Sequence, residues 1–420
     1  DSTQHELNIY IDGNKIEPNH IIDFSLTLEL FNNDEFCLGC TPEKDIEFEI
    51  DKRDLPEAYE KVYVETGVND EIIPIGHFTI QSIEDDEFKV KIKATDYMKK
   101  FEDTKYDGSN LIYPKTMLEV LKDICIKVGV ELGSTSFLNS DKQIAVYDNT
   151  VTARTYIGYI AEQAGGFAVI GRDGKLYIKN FGKDTINFDI NLFGDFTWGD
   201  KFKVSKVSYE DGIQNYKFGD EAQATVFIDQ NNMYIVDSEQ VENIYNQIKD
   251  FEVYTFEGET IIDPAYDIGD ILVIDGKKVL LQCELEYAGK FKANIKSKIQ
   301  AKTEQESMQT KQSNSSKIKR VQSEINQIDG KITQLVEETS EHEEKLTKVE
   351  QDVDGIKQNI KNVVNYKRDA ENVSELHITD AGKYEILKLE IKGNKEFVSE
   401  LYPRTNLFPR AGLQPNQKGG

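Results

Sequence analysis

His77-Phe78-Thr79-Ile80, then Glu84-Asp85-Asp86-Glu87, then Phe88-Lys89-Val90-Lys91-Ile92: this stretch decides the fold class. Apolar and polar residues alternate with period two on both sides of a four-carboxylate tip, the pattern of two half-buried strands joined by a solvated turn. Like charges are tolerated at such a tip because water screens them. The alternation extends back through Phe24-Ser25-Leu26-Thr27-Leu28 to Leu7-Asn8-Ile9-Tyr10-Ile11, which runs into the turn Asp12-Gly13. Residues 1–100 therefore read as a β domain, a first barrel. A related phrase returns late in the chain: Gln81 followed by Phe88-Lys89-Val90-Lys91-Ile92-Lys93 has a counterpart in Gln282 followed by Phe291-Lys292-Ala293-Asn294-Ile295-Lys296. The match is short; if it marks a duplication, the chain carries two related β-barrel modules.

Between these phrases the period changes. Met117, Leu118, Leu121, Ile124, Cys125 and Val128 follow helical spacing and stop at Gly129, and Tyr156, Ile157, Ile160, Ala161 and Ala164 form the face of a second helix ending at Gly165-Gly166. Gly171-Arg172-Asp173-Gly174 then turns a hairpin. Residues 101–190 read as a small α+β domain, in which the glycine pair is a helix C-terminus, because a phosphate loop would precede its helix. In 191–303 strands return around one amphipathic helix, with Val241, Ile244, Tyr245 and Ile248 aligned behind a capping-box-like Asp237 and Gln240. That segment reads as a second barrel domain. Its carboxylates Asp263, Asp267 and Asp270 lack the alternate-residue ladder of a calcium loop, so turn chemistry is the reading.

Composition narrows the function. The 420 residues hold 76 Asp plus Glu against 50 Lys plus Arg, a formal charge of −26, and residues 1–103 carry 26 acidic and 10 basic residues, or −16 of that total. Such a surface repels polyanions and excludes nucleic-acid binding as a default. No run approaches the ~18 apolar residues of a membrane span, and residues 1–10 lack a signal-peptide pattern. Cys37 and Cys40 form a lone CxxC, with Cys125 and Cys283 far away, so neither a zinc set nor a redox helix is indicated. The histidines His5, His20, His77, His342 and His377 fall in no metalloprotease, Cys-His or serine-elbow arrangement. The expectation is a chain without catalytic residues, cofactor or metal.

Beyond residue 304 a strict three-four spacing begins: Ile318, Val321, Ile325, Ile328, Ile332, Leu335, Thr339, His342, Leu346, Val349, Val353, Ile356, Ile360 and Val363. A lone helix has no core for such a seam, which is buried only against other copies or a partner helix. At ~1.5 Å per residue the seam makes a rod of roughly 70 Å. Ile at both seam positions, with Leu at some, favours three or four strands over two, and a parallel trimeric coiled coil over 304–365 is the reading. After it, 366–420 read as a linker and the start of a C-terminal β module.

Several phrases before the rod carry a family resemblance: Ile73-Pro74-Ile75-Gly76-His77-Phe78, Ala94-Thr95-Asp96-Tyr97-Met98, Tyr113-Pro114-Lys115-Thr116, Ile160-Ala161-Glu162-Gln163-Ala164-Gly165-Gly166-Phe167, Asp173-Gly174-Lys175-Leu176 and Asp263-Pro264-Ala265-Tyr266-Asp267-Ile268-Gly269-Asp270. In order and spacing, over residues 6–300, they resemble the baseplate hub of phage tails, in the form found at the N-terminus of tail-associated lysins of Gram-positive siphophages. The resemblance implies a homotrimer in the virion tail tip, each chain supplying two tube-like barrels, so that six quasi-equivalent barrels meet a sixfold tube and DNA passes through. It implies as partners a distal tail protein, a tape-measure protein and host-binding tip proteins. None of its motifs is catalytic. Leu401-Tyr402-Pro403-Arg404-Thr405-Asn406-Leu407-Phe408-Pro409 resembles the segment that opens host-facing modules, so a binding or hydrolase domain beyond residue 420 is part of what the resemblance implies. Two other readings stand beside the hub: the N-terminal scaffold of a tail-associated cell-wall hydrolase, and a trimeric host-surface adhesin.

Thr339 and His342 place a polar layer on the rod's axis. Three inward imidazoles resist protonation, so their folded-state pKa lies below the unfolded value and stability falls as pH drops towards and below that value. His342→Ile is expected to raise Tm and flatten its acid dependence, read by thermal unfolding of the full chain from about pH 8 to pH 5.

Overall fold

Alternating side chains give the first segment one apolar and one polar face, and the computed structural model of the chain shows both. Strands β1 (His5–Ile11), β2 (Asn14–Lys15), β3 (Ile21–Leu28), β4 (Lys44–Asp51), β5 (Lys61–Val68), β6 (Glu71–Asp85) and β7 (Lys89–Asp96) pair antiparallel. In β4, Ile46, Phe48 and Ile50 are buried while Asp45, Glu47, Glu49 and Asp51 take the other face. The structure describes residues 5–301, apart from breaks at 32–33, 58, 69–70, 109, 145–150, 183–184, 212–213 and 236, and the strands Glu375–Ile378 and Tyr384–Lys388. Two units divide the chain, 1–311 and 312–420. All fourteen expected seam positions, from Ile318 to Val363, lie outside the described residues.

The helical segment forms where local signals demand it. After α1 (Met98–Asp103) and the short β8 (Lys115–Thr116), α2 (Met117–Val128) starts at a complete Thr116/Glu119 capping box and stops at Gly129, whose φ of 76° is the left-handed conformation of a C-cap. β9 (Gln143–Ile144) leads to α3 (Ala153–Gln163), capped by Thr152, which buries Tyr156, Ile157, Ile160 and Ala161. β10 (Gly166–Ile170) and β11 (Leu176–Asn180) make the expected hairpin. These elements pack around their own core, including Leu121, Ile124, Tyr156 and Leu176.

β12 (Thr185–Phe188) is followed by β13 (Phe193–Glu210), β14 (Asn215–Gly219), β15 (Ala224–Phe227) and α4 (Ser238–Ile248), which opens on the Asp237/Gln240 capping box. β16 (Glu252–Ile261), β17 (Ile271–Ile274), β18 (Lys277–Leu280), β19 (Cys283–Tyr287) and β20 (Phe291–Ser297) complete the unit. β12, β17 and β18 form a three-stranded sheet. The remaining strands of both ends of the unit share one 13-stranded sheet, ordered β14-β13-β16-β20-β19-β3-β4-β7-β6-β5-β1-β2 with β15 beside β13. It is antiparallel except for the β13–β15 pair, and its path is open among the described residues.

Two stretches of this sheet repeat one another. In β3-β4-β7-β6 and again in β13-β16-β20-β19 a strand pairs with a later one, the next strand β4 in the first case and β16 beyond β14 and β15 in the second, and the second strand of a later hairpin inserts against that partner. The registers agree: Glu47 and Glu49 oppose Lys93 and Lys91, as Glu257 and Glu259 oppose Lys296 and Asn294. Phe24 opposes Phe48, as Phe196 opposes Gly258, which aligns Asp23-Phe24-Ser25-Leu26 with Asp195-Phe196-Thr197-Trp198. The matched phrases of the second hairpin strands, 88–93 and 291–296, are in register. Their glutamines are not: a register shift at Gln81 puts Ser82 opposite Lys93, so Ser82 is the counterpart of Gln282, whose carbonyl accepts from Lys296 N.

The repeats are joined where Cys283, Glu284, Leu285 and Glu286 oppose Leu28, Thr27, Leu26 and Ser25. The loop that follows β3 is then bound from all sides. Gln282 Oε1 accepts from Leu30 N and Phe31 N at 3.0 and 3.1 Å, Phe36 N and Gln300 N bond Gln300 O and Asp34 O, and Gly39 N and Cys40 O bond β10. Phe36 sits 4.9–5.2 Å from the rings of Phe181, Phe202 and Phe251. Gln282→Ala leaves two buried donors unsatisfied and is expected to cost about 1–3 kcal/mol in denaturant unfolding, whereas Gln81→Ala at an exposed site stays within about 0.5 kcal/mol.

Candidate functional site

Because side chains alternate, the face of the large sheet opposite the core is polar along its whole middle. Read across strands, Glu259, Asn294, Glu284, Thr27, Asp45 and Thr95 form one row, and Ile261, Lys292, Glu286, Ser25, Glu47 and Lys93 form the next. Within the first repeat the charges are paired: Lys91 and Lys93 reach Glu47, Lys89 lies 3.0 Å from Glu49, and Thr95 Oγ1 donates to Asp45 at 2.6 Å. The hydrogen bond from Lys91, aided by Lys93, holds the Glu47 carboxyl below the usual range. In the second repeat Glu257, Glu259, Glu284 and Glu286 are exposed around Lys292, along a concavity of about 750 Å³ edged by Leu192, Phe196 and Ile261. The arrangement offers water carboxylates that are unpaired among the described residues in the second repeat, beside lysines that the first repeat pairs with Glu47 and Glu49, a net-acidic face that disfavours a polyanion.

Behind this face lies a buried ionic cluster. Lys44 occupies an inward position of β4, so its ammonium points into the molecule and meets Asp267 Oδ1 at 2.7 Å; its side chain is 3% exposed. Arg172, at the tip of the β10–β11 hairpin, approaches Asp267 Oδ2 at 3.8 Å and donates at 2.7 Å to the carbonyls of Pro74 and Tyr266. Burial raises the Asp267 carboxyl, but Lys44 and Arg172 outweigh it and hold its pKa at about 2. Asp96 is also buried; its Oδ1 accepts from Met98 N and its Oδ2 has no hydrogen-bond partner, and burial pushes its pKa to about 7. The cluster thus clamps the first repeat, the α+β hairpin and the 263–270 turn together.

A second buried acid sits under the 29–43 loop. Glu162 accepts from Asp229 N at 2.8 Å and from Asn232 Nδ2 at 2.7 Å, and burial, with the Asp229 charge, pushes it to about 8. Beside it Arg154 binds Glu43 and donates to Thr41 O and Thr41 Oγ1, at the edge of a cavity of about 270 Å³. Each of these charges ties one segment to another.

The residues singled out from sequence are scattered. Cys37 and Cys40 are half-buried in the 29–43 loop, and Cys125 and Cys283 are buried. Asp263 and Asp270 accept from Ala265 N and Asp267 N, the turn chemistry expected of them. His20 bonds Asp54 at 2.8 Å, and His77 lies between the rings of Tyr63 and Tyr97, where burial pushes its pKa down. Among the described residues no three His, Cys, Asp or Glu side chains are grouped to hold a metal. Arg172, Asp96 and Glu162 stand in the sequence only inside longer phrases, with no sign of their burial, and Lys44 stands in none of them. Lys44 had a signal, since it falls in phase with Ile46, Phe48 and Ile50 on the buried side of an alternating strand.

No protein-family model matches the chain, and no curated protein matches it. Solved structures similar to it include a tail protein from Neisseria meningitidis MC58, with 11% identity over 70% of this chain and 95% of that one, at a TM-score of 0.45. The 43 kDa tail protein of prophage MuSo2 from Shewanella oneidensis matches with 13% identity over 70% and 100% of the two chains, at 0.47. Prophage tail protein gp18 from Listeria monocytogenes EGD-e matches with 11% identity over 70% and 95%, at 0.44.

The buried acids make stability depend on pH in opposite directions. With its folded-state pKa at about 7, Asp96 holds its proton more tightly in the folded state, so its contribution falls as pH rises from the ordinary carboxylate value of about 4 through 7. Asp96→Asn is expected to flatten that decline, read as urea midpoints at about pH 5 and pH 8. Asp267, held at about 2, contributes stability above about pH 4 that is lost as pH falls towards 2. Lys44→Met leaves that carboxylate with Arg172 at 3.8 Å as its remaining ion-pair partner and is expected to cost up to about 3–5 kcal/mol at neutral pH.

Proposed function

We propose that this chain is a structural hub of a bacteriophage tail tip. It is a homotrimer in which each copy supplies two related barrel modules, residues 1–100 and 191–303, bridged by the α+β domain 101–190 and followed by a trimeric coiled coil over 304–365. Six modules then face a sixfold tail tube, while the threefold rod and the 366–420 segment lead towards host-facing components. The acid-rich sheet face lines the passage for DNA. A distal tail protein, a tape-measure protein and host-binding tip proteins are the partners.

The observation that carries this reading is the in-register repeat of β3-β4-β7-β6 in β13-β16-β20-β19 within one sheet. Two copies of a module in a chain convert threefold into pseudo-sixfold symmetry, and the Ile-rich seam from Ile318 to Val363 independently favours three chains. The polar face fits a conduit, because carboxylates from both repeats lie on it in matching rows and a polyanion slides past them without a counterion-release gain.

Light scattering on the intact chain tests the assembly: a three-chain mass is expected, and a one- or two-chain mass overturns the trimer. In the same samples, retention of double-stranded DNA at low salt overturns the conduit role, since the acid face is expected to give none.

A further inference from the structure

The repeat leaves two strand edges open that its own counterparts close. In the first repeat the outer edge of β3 is covered by β19, through Ser25 to Leu28. The equivalent edge of β13, Thr197 to Lys201 with one extra residue at the register shift between Trp198 and Lys201, has no partner strand among the described residues, because β14 and β15 pair only from Val204 onward. Conversely, β19 is covered on its outer side, whereas its counterpart, the end of β6 from Gln81 to Asp85, lies past the last β5 pairing at Thr79.

Two aromatic side chains repeat the mismatch. Phe291 and Phe24 are both 0% exposed and meet edge to face at 6.2 Å across the β19–β3 junction. Their counterparts are Phe88 and Phe196. Phe88 O accepts from Lys52 N at 3.1 Å as Phe291 O accepts from Ile262 N at 3.2 Å, which fixes the equivalence. Phe88 is 75% and Phe196 43% exposed. A duplicated module that buries this pair inside the chain exposes both rings on opposite margins of the same sheet.

We infer that neighbouring copies are joined by the junction already present within each copy: the end of β6 in one pairs antiparallel with the free edge of β13 in the next, and Phe88 of the first packs on Phe196 of the second. The occupant is a second copy of this chain because each copy carries both complementary edges, in continuity with the β19–β3 ladder. The acidic tip 84–87 comes to a margin that carries both signs: Lys277, 4.3 Å over the Trp198 ring, and the carboxylates Asp195 and Asp200 of β13. Transferring the register Glu286–Ser25 places Asp86 opposite Thr197. The contact is head-to-tail, and with the three copies of the trimer reading above it closes into a ring rather than an open filament.

Single-cysteine variants of the full chain test it. Asp86→Cys and Thr197→Cys, co-expressed and oxidised, are expected to give a covalent pair, since facing strand positions bring Cβ atoms within about 5.5 Å; neither variant alone, nor the unsubstituted chain, gives one. Adding Phe88→Asp, at an exposed turn where circular dichroism verifies folding, is expected to lower the adduct at least tenfold. A three-chain mass without the mixed adduct overturns the junction and leaves the trimer standing, whereas a monomer overturns both. Adduct in a single variant overturns head-to-tail pairing, and adduct indifferent to Phe88→Asp overturns the aromatic contact.

Discussion

The pairing of Cys283 to Glu286 with Leu28 to Ser25 is the constraint on which the folded unit depends. A strand edge in the middle of a sheet must find donors and acceptors, and here they come from the far end of the unit. Once that ladder forms, Gln282 is placed to receive Leu30 N and Phe31 N, and the 29–43 loop is led over the α+β core. Phe31 and Phe36 then join rings from the second repeat and from β11's margin, so one apolar cluster serves what sequence divides into three segments.

What was legible in the sequence was local. The capping pair Asp237/Gln240, the stop at Gly129 and the Asp173-Gly174 turn each satisfy backbone groups within a few residues, so reading them needs no knowledge of the fold. The β19–β3 ladder was hidden because nothing in either strand names its partner. The equation of Gln81 with Gln282 failed because a register shift moves every later side chain by one place. The acidity was read from residues 1–103, yet the sheet face draws equally on Glu257, Glu259, Glu284 and Glu286, which become neighbours of the first repeat only through that ladder.

The repeats also show how a module drifts while its backbone is kept. Phe48 in the first corresponds to Gly258 in the second. A Cβ at Gly258 would stand 3.0 Å from Phe193, Phe196 and Phe256, so the volume that one ring fills in the first repeat is filled by three neighbours in the second. The core keeps its packing density by moving aromatic mass from one strand to the next, and the outward Glu-x-Glu pattern survives beside it.

The distance in sequence between β3 and β19 sets a timetable. At ~5–20 residues per second, on the order of 10–50 s pass between the synthesis of Leu28 and that of its partner Cys283. During that interval the β3 edge, Phe31 and Phe36 are without the cover that β19 and the later rings give them. The internal seam is therefore complete only once residues 283–297 have arrived, which makes their synthesis the step that covers the β3 edge.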